Sequence, residues 1–427
     1  MILLWAFFRV NNSNYFSEYR STPDPPSSTV SMKPKLRNWI KHFVSLGVLC
    51  GAACGGEMDA SRLAQGREAL RFAEAQIPRI TPVTEQDAAW IELASAWGGT
   101  DPARGLDLFQ RVKDTQQLEG VAIELCGLHA RKLIADSGVP AALKTIQAIP
   151  FGSLRHLCWV AVGETWAQTD AKAAAVWART LPREMDRDWT LYYVATGMSR
   201  KEPAAALGLA REIKDPFFLE CLQRHILFEL AAKDPREAWG KLGECPAGMR
   251  WQVAAEIGWC WARVDRAAAL MAIEKLAPSR EQSAAWSGVA AVDAEWDGKA
   301  ASVALVKAEP TLAFLKNTER LIEAWAAKSP TEAMAWIEMQ EHMDAEQRWL
   351  WKGTVLREAS KRDPVEGQKM LARVGIKPSH WMACGDGFAQ ADAQGALAWA
   401  KGVSDPVRRI YALIGVARGA AAGRVAD

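Results

Sequence analysis

Cysteine and histidine at helical spacing are the first candidates for chemistry in this 427-residue chain. Cys126 and His129 stand three residues apart and Cys221 and His225 four apart, so each pair would share one helical face. Either pair supplies two zinc ligands where four are needed, and the pairs lie far apart in the sequence. The eight Cys form no CxxC pair and no evident disulfide framework, so they are expected to act as small buried hydrophobes, with no metal or other cofactor. No HExxH, phosphate loop, GxSxG or dinucleotide fingerprint occurs, and the six His offer no recognisable Ser/His/Asp spacing. The expectation is a protein that is not an enzyme. What remains is aromatic: 20 Trp against 5 Tyr and 12 Phe. Trp259 and Trp261 would point about 200° apart on one helix, so they cannot both face the same core.

Composition narrows the classes. The chain is 49% hydrophobic and 24% charged, the balance of a folded protein rather than a disordered one. Six of the 52 basic and three of the 50 acidic residues lie in 1–57, which leaves 46 against 47 in 58–427. A near-neutral body lacks the basic footprint of nucleic-acid binding, so no nucleic acid is expected as a partner. No run of 18 apolar residues occurs.

The elements that carry the tryptophans repeat. Corner residues Asp101, Asp136, Asp170, Glu202, Asp234, Asp265, Asp297, Ser329, Asp363 and Asp392 follow one another at intervals of 29 to 35, a period of about 32 that fits one helical hairpin. Eight residues before each corner the position is always apolar, from Leu93 and Leu128 to Val355 and Cys384. Ten from ten by chance is on the order of one in a thousand. Four residues after the corner, nine of ten positions are Ala or Gly, which lets the second helix approach the first. Asp at the corner is an N-cap, and the Pro that often follows sits where no intrahelical bond is lost. Twelve Trp occupy recurring columns, among them Trp97, Trp166, Trp261 and Trp325 four before the corner and Trp177, Trp336 and Trp399 seven after it. These predict inter-helix packing. Asp136–Pro140 is the weakest register, and Asp293 interrupts the apolar stripe of its own repeat. Gln65–Pro78 reads as a second helix lacking its first, and Asp405-Pro406 opens a lone first helix; both are expected to cap the array. The expected fold is all-α, a right-handed α-solenoid of about ten helix–turn–helix repeats with about 22 helices and no strand, forming a single domain over 58–427.

Trp159, Val162, Gly163 and Trp166 resemble the first-helix signature of tetratricopeptide repeats, as do Trp381, Cys384, Gly385 and Phe388. The pattern of Trp-Ala, Asp-Pro corner and Ala-Leu-x-Trp is also similar to bacterial secreted helical-repeat proteins. The second helix differs from the tetratricopeptide form, its Ala arriving one residue early. This resemblance implies a superhelix that binds a protein or peptide on its concave face. It would place Trp189, Tyr192 and Arg200, then Arg224 and Phe228, then Trp259 and Arg263, in the groove, followed by Glu295, Glu323 and Arg357. Aromatics interleaved with Arg in mid-array are the expected binding patch.

The front of the chain reads as an address. Residues 1–31 are expected to be disordered or a mis-assigned extension, with Met32 as the start. Residues 32–57 run from basic (Lys33, Lys35, Arg37, Lys41) through apolar (Phe43 to Ala53) to small, the order of an export signal. Cys54, after Gly51-Ala52-Ala53, resembles the lipid-modified Cys of bacterial lipoproteins, although Gly51 stands where Leu is usual. These features predict an exported protein of the periplasm or outer envelope, attached to membrane only through an N-terminal lipid or signal anchor. The functional expectation is a non-catalytic interaction scaffold. A structural envelope protein without a specific ligand and an α/α-toroid carbohydrate-active enzyme are the alternatives.

Overall fold

The computed structural model describes residues 60–422 apart from 114–118, 149–151, 183, 214–215, 307–311, 341–344 and 375–376. The export segment and Cys54 lie outside the described residues. Among those described the chain is all-α, with 19 α-helices and no strand. In chain order they are α1 (Ala60–Gln76), α2 (Val83–Gly98), α3 (Pro102–Leu108), α4 (Glu119–Gln147), α5 (Gly152–Arg179), α6 (Glu184–Ser199) and α7 (Pro203–Ala210). There follow α8 (Pro216–Lys233), α9 (Pro235–Gly240), α10 (Arg250–Glu274), α11 (Arg280–Asp293), α12 (Gly298–Val306) and α13 (Leu312–Lys328). The last are α14 (Pro330–Met339), α15 (Ala345–Arg362), α16 (Pro364–Val374), α17 (Pro378–Ala391), α18 (Ala393–Gly402) and α19 (Pro406–Ala422). The count falls below 22 partly because α4, α5 and α10 each contain two helical arms, broken at Gly138, Asp170 and Asp265.

Most corners share one chemistry, although Glu202 makes no side-chain cap bond. The carboxylates of Asp101, Asp170, Asp234, Asp265, Asp297, Asp363, Asp392 and Asp405 each accept the backbone N–H three residues on, at 2.8–3.3 Å. Five of these residues share one backbone conformation, near φ −145° and ψ 85–95°. Each bond satisfies an amide that the helix start would leave orphaned. At the weak register the break falls two residues later than expected, at Gly138 with φ 77°, a left-handed value that glycine adopts without penalty. Asp136 pairs instead with Lys132 at 3.0 Å. Asp293, which interrupts its stripe, is engaged by Arg266 through two bonds of 2.5 and 2.7 Å.

The chain divides into two compact units, 1–129 with 334–427, and 130–333. In the first, α15, α17 and α19 pack side by side, and α1 packs on α19 and α18. The two terminal half-repeats, expected to cap opposite ends, are thus partners: α19 is the first helix and α1 the second. Leu70, Ala69 and Ala73 of α1 are fully buried, as are Ile410, Leu413 and Ile414 of α19. Arg62 donates to the carbonyls of Ala389 and Gln390 at 2.7 and 3.0 Å, Lys401 to Glu68 at 2.6 Å and Arg409 to Gln76 at 2.8 Å. In the second unit α5–α6 and α10–α11 are the closest helix pairs.

No column tryptophan is exposed. Several meet each other: Trp166 and Trp177 at 6.0 Å between centroids, Trp239 and Trp261 at 6.1 Å, and Trp381 stacked on Trp399 at 6.1 Å. Indoles of facing helices therefore fill the space that the small residues after the corner leave.

Candidate functional site

Of the residues expected in the groove, Trp189, Tyr192, Arg200, Arg224, Phe228, Trp259, Arg263, Glu295 and Glu323 belong to the second unit and Arg357 to the first. Trp189 and Tyr192 lie on α6. Trp189 is half-buried, stacked on Tyr193 at 6.2 Å and edge-on to Phe218 of α8 at 5.2 Å. Tyr192 is buried, its ring 4.9 Å from Tyr193 and 5.2 Å from Phe218, and burial pushes its phenol well above the usual range. Arg224 of α8 is only 4% exposed. Its guanidinium lies 5.3 Å over Phe228, itself buried, and donates to Gln252 of α10. Burial lowers its pKa to about 10 against the pull of nearby Tyr192 and Cys221.

Tyr192, Arg224 and Phe228 are therefore interior residues and not groove-lining anchors. The physical reason is that neighbouring helices engage the positions that tetratricopeptide arrays leave open. Phe218 of α8 covers Tyr192, and Gln252 of α10 meets Arg224. Their aromatic and cationic groups bind one another.

Trp259 behaves differently. It is half-buried on α10, with the exposed Arg263 at 4.8 Å and Arg320 of α13 at 3.8 Å from its ring centroid. Arg320 also donates to both carboxylate oxygens of Glu256 at 3.1–3.4 Å and to Asn317 Oδ1 at 3.3 Å. Asn317, buried, donates in turn to Ser287 of α11 at 2.8 Å. The planar fork of Arg320 thus does two jobs, pairing a carboxylate and flattening against an indole.

This reach across α11 depends on how closely α10 and α11 cross. A Cβ added at Gly258 would stand 2.3 Å from the Ala285 carbonyl oxygen, and one at Gly288 would stand 2.4 Å from that of Ala255. Sequence reasoning missed Glu256 and Arg320, although a signal existed. Glu256, Gly288 and Arg320 each lie nine residues before their corners, two opposite charges with glycine between them in one column.

Cys126 and Cys221 are buried and in no disulfide, and no cluster of three or more His, Cys, Asp or Glu able to hold a metal occurs among the described residues. His225 is held neutral by burial, its pKa lowered to about 4 despite Glu229 at 3.9 Å, and Glu229 is engaged by Arg200 at 2.7 Å. No helix of the described residues is long and apolar enough to cross a membrane. Comparison with protein-family models, curated proteins and solved structures returns no match.

Proposed function

We propose that the chain is an exported, non-catalytic interaction scaffold, built as a right-handed α-solenoid of about ten repeats. It binds a protein or peptide segment through the first helices of residues 130–333. The observation that carries this reading is Trp259, a half-buried indole with two guanidiniums against its ring, Arg320 paired with Glu256 and Arg263 exposed. A fixed aromatic surface costs little conformational entropy when a partner covers it, and Trp and Arg are the usual anchors of such contacts. Arg263 beside it favours a partner segment that presents an acidic residue next to an apolar one. Trp189, half-buried on α6, is the second anchor. Export rests on residues 32–57, with Cys54 as the lipid-bearing residue, a point that mass analysis of the mature N-terminus tests.

The test is selection of displayed peptides on the purified protein, followed by affinity measurement. Trp259→Ala should weaken the selected peptides at least tenfold, about 1.4 kcal/mol, while the melting temperature stays within a few degrees. Unchanged affinity in that variant overturns the assignment.

A further inference from the structure

The first unit carries a second site that the interaction reading does not use. Between α15, α17 and α19 lies a cleft of about 60 Å³, lined by Trp349, Thr354, Arg357, Ser379, Asp386 and Arg418. Its floor is low because Gly353 and Ala383 present almost nothing: a Cβ added at Gly353 would meet only that of Ala383, at 3.8 Å.

Two of the polar groups around it, Arg418 and Asp386, are buried, and Arg418 is incompletely matched. Arg418 is 3% exposed and donates through Nη2 to Glu92 at 2.6 Å and to Ser95 at 3.3 Å, but its buried Nε has no partner. Arg357 donates from Nε to Glu358 at 3.1 Å. Asp386 is 5% exposed and accepts from Gln390 at 2.9 Å through one oxygen. Burial raises its pKa, opposed by Arg357 and Arg418, so the carboxyl is biased toward its protonated form. An unsatisfied buried N–H on a charged group is costly and is normally matched by an acceptor.

We propose that this cleft binds a carboxylate group, held by the Arg357 and Arg418 guanidiniums with the Thr354 and Ser379 hydroxyls beside it. Charge balance selects the class of anion. Each arginine already faces one glutamate, Glu358 or Glu92, so the two pairs carry no net charge and a single added negative charge costs less there than the two of a phosphate dianion. When protonated, a state that burial favours, Asp386 can donate its O–H to a bound carboxylate, the pairing by which two carboxyl groups share one proton. Size agrees: the cleft has room for a carboxylate group and opens to solvent. The rest of the ligand extends into solvent, and the group could be a small organic acid or the free C-terminus of a peptide.

The experiment titrates the full chain with N-acetylglycine, N-acetylglycinamide, inorganic phosphate and a pentapeptide with a free or amidated C-terminus, reading melting temperature and heat of binding. The acid is expected to raise the melting temperature and to bind at least tenfold more tightly than the amide or phosphate. Tighter binding by the free-ended pentapeptide than by N-acetylglycine assigns a peptide terminus, and comparable binding assigns a small acid. Because removing Arg418 also uncouples Glu92 and risks unfolding, the deciding variant is Gly353→Leu, which fills the cleft from a position with room for a side chain. It should retain the native far-UV signal and lose the response to acid. Equal response to acid and amide, or an undiminished response in folded Gly353→Leu, overturns the proposal.

Discussion

Gly415→Ala tests whether the first unit is held together by backbone-to-backbone approach. Gly415 sits on α19 where it crosses α17, and a Cβ there would lie 1.9 Å from the Met382 carbonyl oxygen and 2.7 Å from its carbon. Ordinary non-bonded contact is about 3.5 Å, so the helices must separate by more than 1 Å. The obstacle is main chain, which cannot rotate away as a side-chain tip would. Separation loosens Ile410, Leu413, Ile414 and Val416, all fully buried. Overpacking of this kind costs about 3 kcal/mol, the upper part of its usual range. Alanine regains about 1 kcal/mol of helix propensity over glycine. The expected net loss is about 2 kcal/mol, read as a lower urea midpoint by far-UV circular dichroism and tryptophan fluorescence. Gly353→Ala is the matched control: with its nearest contact at 3.8 Å it should stabilise by up to about 1 kcal/mol. If Gly415→Ala proves as stable as Gly353→Ala, close approach is not what holds α17 and α19 together.

Three further outcomes are expected. Leu70→Ala, which empties a fully buried site on α1, should cost about 2–5 kcal/mol and reduce amide-exchange protection in α19 as well as in α1. Asp265→Ala removes the cap on Ala268 and should lower stability by about 1 kcal/mol, with Asp297→Ala matching it at the next corner. His225 stays neutral in the folded protein down to about pH 4, whereas the unfolded chain protonates it near 6.5. The unfolded state therefore binds more protons between those values, and His225 contributes a loss of up to about 1.4 kcal/mol per pH unit as pH falls from 6.5 toward 4. Urea midpoints across that range should fall less steeply in His225→Gln, and identical slopes would refute the assignment.

The fold was legible where sequence chemistry is local. An aspartate before Pro or Ala caps a helix by reaching three residues ahead, so the corners at Asp101, Asp234 and Asp392 were readable without any tertiary information. The same holds for Trp166 and Trp177, whose columns face each other across one corner. Asp136 failed because Gly138, two residues later, offers a conformation that no capping bond needs to support. The candidate site was less legible because exposure is a tertiary property. Tyr192 and Arg224 were expected in a groove, but both are buried, the ring of one against Phe218 and the guanidinium of the other bonded to Gln252. Trp259 stays half-buried, and the groups that meet its ring are the arginines Arg263 and Arg320.

The pairing of the terminal helices shows what periodicity alone could not supply. A half-repeat at a chain end can stay solvated only if its outer face is polar. The segment Gln65–Pro78 instead offers Ala69, Leu70 and Ala73 on one side, and Pro406–Gly415 offers Ile410, Leu413 and Ile414. α19 also packs on its neighbour α17, but the apolar face of α1 finds its main partner in α19, at the other end of the described chain. Gly66, whose added Cβ would stand 3.2 Å from that of Ala420, allows the close approach, and Lys401–Glu68 and Arg409–Gln76 fix the register. The contact joins residues more than 320 positions apart. Closing so long a loop adds little entropy beyond that of a shorter one, because the cost grows only logarithmically with length. The burial of two apolar faces therefore exceeds the closure cost, and α1 gains its stability from the far end of the chain.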